Sequence, residues 1–261
     1  MRRQGAPLVI GVLAAIGAAF FIVPLVGLVV RTPWGDALSA ISSPGTVEAL
    51  RLSLVASLSS TALALVLGVP LAWVYARIDF PGRTILRALT TLPMVLPPVV
   101  GGIALLLAFG RRGLLGAWLD STLGVTLPFT TAGVVFAETF VAMPFLVLTV
   151  EAGLRSMDRR FEDAARTLGA SRWTVFSRVT LPLVAPSLFA GAVLCWARAL
   201  GEFGATITFA GNFPGVTQTM PLAVYLLLET NPEGSFILSL VLLAVSLVVL
   251  VSLRDRWLGS A

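Results

Sequence analysis

Residues 162–182 read EDAARTLGASRWTVFSRVTLP, a polar and charged insert between two long apolar stretches. Asp158 is placed to cap a helix at the start of this insert, and Gly169 is placed to end it. One face of that helix carries side chains at the spacing i, i+3, i+4 and i+7, namely Phe161, Ala164, Ala165 and Leu168. The pattern predicts a short helix with a small apolar face.

The second half of the insert predicts another short helix. Ser171 is placed to cap it, Trp173 and Phe176 lie on it, and it is expected to stop before Pro182. A helix, a glycine hinge and a helix would then run parallel to the membrane. A face with two alanines fits a groove of another protein, whereas flanking arginines also suit a helix on a membrane surface. Both interpretations remain open on these residues alone.

Composition places the chain among membrane proteins that cross the bilayer several times. It has 261 residues, 57% of them hydrophobic and 12% charged, with a mean hydropathy of +0.96. Its basic residues are scattered between apolar stretches, which excludes a nucleic-acid-binding domain. Histidine is absent and the one cysteine, Cys195, lies in an apolar stretch. We therefore predict no disulfide, no metal site and no cofactor.

Apolar stretches long enough to cross a bilayer predict about six transmembrane helices. The first is too long for the apolar part of a signal peptide. The third contains Pro93, Pro97 and Pro98 and is expected to be kinked and packed centrally. The stretches are 8–30, 53–75, 88–109, 130–151, 183–205 and 235–253.

Arginine counts predict the orientation, since the chain has no lysine. If the N-terminus is cytoplasmic, thirteen arginines fall on the cytoplasmic side: Arg2, Arg3, Arg77, Arg83, Arg87, Arg155, Arg159, Arg160, Arg166, Arg172, Arg178, Arg254 and Arg256. The opposite side receives four: Arg31, Arg51, Arg111 and Arg112. The positive-inside rule thus predicts cytoplasmic termini and a cytoplasmic insert. No repeat or linker marks a boundary, so one transmembrane domain over 1–261 is expected, with a cytoplasmic loop at 152–182.

The insert resembles a signature of the permeases of ABC importers. That signature reads E-A-A, three residues, G, nine residues, I, one residue, L-P, and it is matched here from Asp163 to Pro182 with Asp163 for glutamate and Val179 for isoleucine. The family has an all-α membrane fold, of type I, with a cytoplasmic coupling helix that docks into a separate ATPase subunit. The resemblance implies an ATPase-coupling role for Glu162, Asp163, Ala164, Ala165, Leu168, Gly169, Val179, Leu181 and Pro182.

The same resemblance implies partners and excludes an enzyme. No G-x-x-x-x-G-K-[ST] phosphate loop occurs in the chain, so ATP hydrolysis would belong to a dimer of ATPase subunits. An extracytoplasmic oxyanion-binding protein, a second copy of the chain and membrane lipid complete the expected partners. The outer loop with Arg111 and Arg112 is either a contact for that binding protein or a solvated turn.

Two further stretches resemble permeases of the molybdate and sulfate group. They are LPMVLPPVVGGIALLLAFGRRGLLG at 92–116 and ARALGEFGATITFAGNFPGVTQTMPLAVY at 197–225. The second is closer to the molybdate branch through Gly204-Ala205-Thr206, Gly211-Asn212 and Thr217-Gln218-Thr219. The implied cargo is a tetrahedral oxyanion, molybdate or tungstate, with sulfate or thiosulfate as the alternative.

Charges within the predicted spans are candidates for the translocation path, because intramembrane charges are costly and usually functional. Arg198 and Glu202 are four residues apart and can neutralise each other, which is the structural alternative. Glu138 and Thr206 are the other candidates, although both can instead bond a neighbouring helix or the helix end. The formal charge of the three ionisable groups is minus one, so tight capture of a dianion is not expected here.

Two other classes compete with this interpretation. An ion-coupled secondary transporter would need ion ligands near the midplane and usually internal repeats; no repeat is seen, and only Glu138 and Glu202 could carry protons. A membrane enzyme would need a nucleophile and a base in one constellation, and none is evident.

Overall fold

The chain folds into helices joined by short loops. The computed structural model describes residues 7–258, and no strand occurs within that range. The helices are α1 (Leu8–Arg31), α2 (Ala37–Ile41), α3 (Pro44–Arg77), α4 (Arg83–Thr91), α5 (Pro98–Phe109), α6 (Gly116–Leu123), α7 (Thr131–Ser156), α8 (Arg160–Thr167), α9 (Arg172–Val175), α10 (Leu181–Leu200), α11 (Gly204–Phe209), α12 (Met220–Thr230) and α13 (Pro232–Leu258). The predicted all-α class is confirmed.

Five of the predicted spans form continuous helices in the described part of the chain. They correspond to α1, α3, α7, a continuous helical run over 172–200 that includes α9 and α10, and α13. The third predicted span is different. Two helical pieces, 83–94 and 98–109, meet at a bend of 119°.

Three prolines cause this break. The residue before a proline is driven out of the helical region, and Pro97 and Pro98 follow one another here. The predicted kink is therefore confirmed. Of the two pieces, α4 buries no residue, whereas α5 buries Gly101, Gly102 and Leu105. With 12 residues and a rise of about 1.5 Å per residue, α5 is shorter than the roughly 30 Å of a bilayer core.

The core lies between α3, α7 and α10. Its largest buried side chains include Tyr75, Leu146 and Leu154. The run of small residues on α3 allows close approach to α7, since a Cβ added at Gly68 would lie 3.1 Å from a methyl group of Val147. This serine-rich and alanine-rich run therefore packs closely against α7.

The remaining helices surround this three-helix core. α5 packs on α11 and α7, while α12 packs on α13 and α3. α1 packs against α13 and buries none of its residues. An apolar helix exposed along its whole length is typical of a segment that faces lipid or another chain.

Candidate functional site

The insert folds as a helix, a glycine turn and a second helix, as its caps predict. Asp158 accepts a hydrogen bond from the backbone N–H of Arg160 at 2.9 Å, at the start of α8. After α8, Gly169 has φ +85°, a left-handed conformation that glycine adopts without steric cost. Ser171 caps α9, since its hydroxyl accepts a hydrogen bond from the N–H of Thr174 at 3.1 Å.

The predicted end of the second helix before Pro182 is wrong. A π-helical turn over Phe176–Thr180 joins α9 directly to α10, with the N–H of Leu181 donating to the carbonyl of Phe176. The wider turn relieves the conflict between the ring of Pro182 and the preceding carbonyls. The second half of the insert is therefore continuous with a predicted membrane span, in one helical run over 172–200.

The apolar face of α8 is left uncovered. Phe161 is 56% exposed and Leu168 is 88% exposed, and Trp173 on α9 is 72% exposed. Ala164 is exposed and Ala165 is half-buried. An apolar patch of this kind on a helical insert marks a surface that another body covers.

Glu162 does not belong to that exposed patch, although it is one of the residues predicted to couple to an ATPase. It is buried, and its carboxylate lies 3.2 Å from the guanidinium of Arg77 at the end of α3. The same oxygen accepts a hydrogen bond from the hydroxyl of Thr180 at 2.7 Å. Glu162 therefore ties α8 to α3 and to the π-helical turn, and its role is to position the insert.

The other signature residues occupy two places. Asp163 is exposed and pairs loosely with Arg166 at 3.4 Å. Val179 and Leu181 are half-buried and Pro182 is exposed, at the joint between the insert and α10. The first half of the signature thus contributes the exposed helix, whereas the second half builds the connection to the span.

A second polar site lies within the helix bundle, at the end of α10. The guanidinium of Arg198 is 2.5 Å from the carboxylate of Glu202, and Glu202 is buried. The other carboxylate oxygen of Glu202 accepts a hydrogen bond from the N–H of Ala205 at 2.8 Å, at the start of α11. The two side chains therefore meet, as the structural alternative for this pair requires. The Arg198 side chain remains 28% exposed, so one side of it stays open.

Glu138 joins this site from α7. Its side chain is buried, it interacts electrostatically with Glu202, and its Oε2 has no hydrogen-bond partner among the described residues. Thr206 on α11 is fully buried, and its hydroxyl also lacks a partner within residues 7–258. The structure thus brings Arg198, Glu202 and Glu138 into one region and leaves acceptor and donor atoms unsatisfied there.

Sequence reasoning missed the polar groups that α3 adds beside this site. The hydroxyl of Thr61 donates to the carbonyl of Ser57 at 2.8 Å, and the hydroxyl of Thr139 donates to that of Ser60 at 3.2 Å. These residues lie where α3 packs against α7. Their polarity at membrane depth was the available signal.

The outer loop carries a weaker interaction. Arg111 lies 3.7 Å from Asp120, and both side chains are partly exposed. A surface pair of this length contributes at most about 1 kcal/mol. This pair does not distinguish a contact for a binding protein from a solvated turn, the two roles considered for the loop.

Comparison with known proteins identifies the family. The family described as the binding-protein-dependent transport system inner membrane component matches residues 64–258. The chain therefore belongs to this family and is a multi-pass protein of the inner membrane.

Named relatives are similar over most of their length. The molybdenum transport system permease protein ModB of Mycobacterium tuberculosis is 47% identical over 93% of this chain and 92% of its own. The protein of the same name from Escherichia coli is 42% identical over 81% of this chain and 93% of its own length. The sulfate transport system permease protein CysT of Escherichia coli is 37% identical over 89% of this chain and 85% of its own length.

A solved structure has the same fold. It is described as a bacterial ABC transporter involved in the import of the acidic polysaccharide alginate, and it covers 97% of this chain and 96% of its own. The TM-score is 0.75 at 18% identity, so the likeness concerns the fold alone. The type I ABC importer permease fold expected of the chain is confirmed.

Proposed function

We propose that the chain is the permease subunit of an ATP-driven importer and that its cargo is molybdate. The observation that carries the ATP-driven part is the exposed apolar face of α8, from Phe161 to Leu168, on an insert continuous with a span. The cargo is supported by similarity, since relatives named for molybdenum transport are more similar than those named for sulfate transport. Tungstate is the closest alternative cargo, because it has the same shape and charge.

The proposed assembly contains two copies of this chain around a shared path, each a single permease domain over 1–261. A dimer of ATPase subunits would cover the α8 faces, and an extracytoplasmic oxyanion-binding protein would deliver cargo on the opposite side. The termini and the insert would be cytoplasmic, as the arginine distribution favours; Arg2 and Arg3 lie outside the described residues. Closing of the ATPase dimer would move α9 and α10 together, because the π-helical turn joins them.

Copurification tests the class of transporter. Detergent-solubilised chain should retain the ATPase subunit of the importer and stimulate hydrolysis of ATP by that subunit. A secondary transporter would be purified without an ATPase, and its uptake would follow an ion gradient instead of ATP.

Competition for uptake tests the cargo. Vesicles that contain the assembled importer should take up labelled molybdate, and an equal concentration of tungstate should inhibit this uptake by about half. A tenfold excess of sulfate should inhibit much less, because selectivity would reside in a binding protein fitted to the larger anion. Strong inhibition by sulfate at equal concentration would contradict molybdate as the cargo.

Arg198 is the residue we assign to the translocation path. The Arg198→Ala variant should lower molybdate uptake at least tenfold while the importer still assembles, since an anion that passes loses a partly exposed guanidinium. The measurement is uptake normalised to assembled complex in vesicles. Uptake equal to that of the wild type would exclude this role.

A double variant separates a path role from simple neutralisation of Glu202. If Arg198 only neutralises Glu202, then Arg198→Ala combined with Glu202→Gln should restore uptake, because no buried charge remains unpaired. The amide oxygen of glutamine can still accept the hydrogen bond from Ala205. Continued loss of uptake in the double variant would support contact between Arg198 and the anion.

A further inference from the structure

A cavity of about 660 Å³ lies between the end of α3 and the insert. One wall is apolar and includes Trp73 and Phe176, whose rings pack edge to face. Glu162 and Asp163 also line the cavity. Its other charged lining residues are four arginines: Arg77, Arg159, Arg166 and Arg172. The cavity lies apart from the polar site formed by Arg198 and Glu202.

Arg77 is the buried cation of this cavity. Its side chain is only 8% exposed, and its terminal nitrogen is 3.2 Å from Glu162. The Nε atom of the same guanidinium is buried and has no hydrogen-bond partner within the described chain. A buried donor of a charged group is costly to leave unpaired. The guanidinium therefore keeps one unsatisfied donor at the edge of the cavity.

The charges of the lining favour an anion as an acceptor for this donor. Glu162 is occupied by Arg77 and Thr180, and Asp163 pairs with Arg166. Neither Arg159 nor Arg172 makes an ion pair with another residue that the structure describes. Four arginines and two carboxylates leave a formal charge of plus two, which matches a dianion.

We propose that this cavity binds a tetrahedral oxyanion, carried either by the phosphate group of an anionic lipid or by a free inorganic ion. Guanidinium groups suit such an anion, since their N–H donors are spaced like its oxygens. The cavity is larger than one oxyanion, and its apolar wall leaves room for the glycerol part of a lipid. A bound anion would bridge α3, the start of α8 and α9, and would stiffen the joint of the insert.

Binding to the purified full-length chain tests this site. The free probes are molybdate, sulfate and phosphate, measured by titration calorimetry in a detergent without phosphate. The lipid probe is phosphatidylglycerol in nanodiscs, with retained lipid counted by native mass spectrometry. The site variants are Arg172→Gln and Arg77→Lys, of which the second keeps the charge beside Glu162 but lacks Nε. The matched control is Arg178→Gln, an exposed arginine of the same segment outside the cavity.

We expect saturable binding that both site variants weaken at least tenfold and that the control leaves unchanged. Loss of affinity for the free ions would identify a free oxyanion as the ligand, and loss of retained phosphatidylglycerol alone would identify a lipid. Equal binding in wild type and site variants would overturn the proposal, as would an equal loss in Arg178→Gln. A site variant that weakens only binding of the ATPase subunit would also overturn it, because the arginines would then serve protein docking.

Discussion

Replacing Gly169 with proline is expected to separate the permease chain from its ATPase subunit. Gly169 ends α8 with φ +85°, whereas proline is fixed near −65°. Its N–H also donates to the carbonyl of Arg166 at 2.9 Å, and proline has no such donor. The turn between α8 and α9 would open, and the exposed faces of the two helices would lose their relative orientation. We expect at least a tenfold loss of affinity for the ATPase subunit and molybdate uptake close to background.

The measurement is copurification of the ATPase subunit, together with ATP hydrolysis and uptake by reconstituted complex. Gly124→Pro is the matched control, because Gly124 ends α6 with φ +63° and lies outside the insert. Gly124→Pro should perturb its own loop but retain the ATPase subunit. Full hydrolysis and full uptake in Gly169→Pro would contradict the docking role of the insert.

A bulky side chain on the exposed face should have the same functional effect through another cause. Ala165 lies between Phe161 and Leu168 on the face that we assign to docking. Ala165→Trp leaves the turn at Gly169 intact and fills the space into which a partner groove would close. Stimulated hydrolysis should fall while insertion into the membrane and the fold of the chain remain normal. Normal stimulated hydrolysis would place the ATPase subunit elsewhere.

The sequence predicts the local structure of the insert well, because its signals are local. A side-chain cap at Ser171 and a left-handed glycine at 169 act within a few residues, and both are observed. The wrong prediction concerns the end of the second helix. A proline normally stops or kinks a helix, and only a π-helical turn, which has no simple sequence signal, lets the chain continue through Pro182.

The burial of Glu162 was not foreseen for a different reason. Its partner Arg77 is 85 positions away in the chain, so no local pattern connects them. The apolar face of α8 points outward and the acidic residue points inward, which reverses the usual arrangement of a helix on a protein surface. That reversal supports the proposal that another protein covers the apolar face. The electrostatic interaction between Glu138 and Glu202 depends in the same way on helix packing, which periodicity does not predict.

Replacing Glu162 with alanine is expected to loosen the insert from the bundle. The ion pair with Arg77 is almost fully buried, at 8% and 5% exposure, and loss of one partner from such a pair costs about 3–5 kcal/mol. Backbone amides of α8 should then exchange with solvent about a hundredfold faster or more, because the helix opens locally. Uptake should fall while hydrolysis of ATP becomes less dependent on cargo, since α8 would move without α3 and α10.

Two further variants distinguish loss of the Arg77–Glu162 ion pair from general destabilisation of the chain. Asp79→Asn removes an acidic residue near the end of α3 that pairs with Arg83 on the surface and is 95% exposed. Such surface pairs contribute about 0–1 kcal/mol, so the amides of α8 should exchange with solvent as in the wild type.

Replacing both Arg77 and Glu162 with methionine removes the unpaired charge. It should restore most of the protection of the α8 amides from exchange, because well-packed apolar residues often replace a buried ion pair at no cost. Uptake should then separate the two effects of the pair: recovery would mean that attachment alone matters, and continued loss would mean that coupling needs the ionic contact itself. If α8 keeps its protection in Glu162→Ala, the buried pair is not what holds the insert, and the signature must act through its exposed face alone.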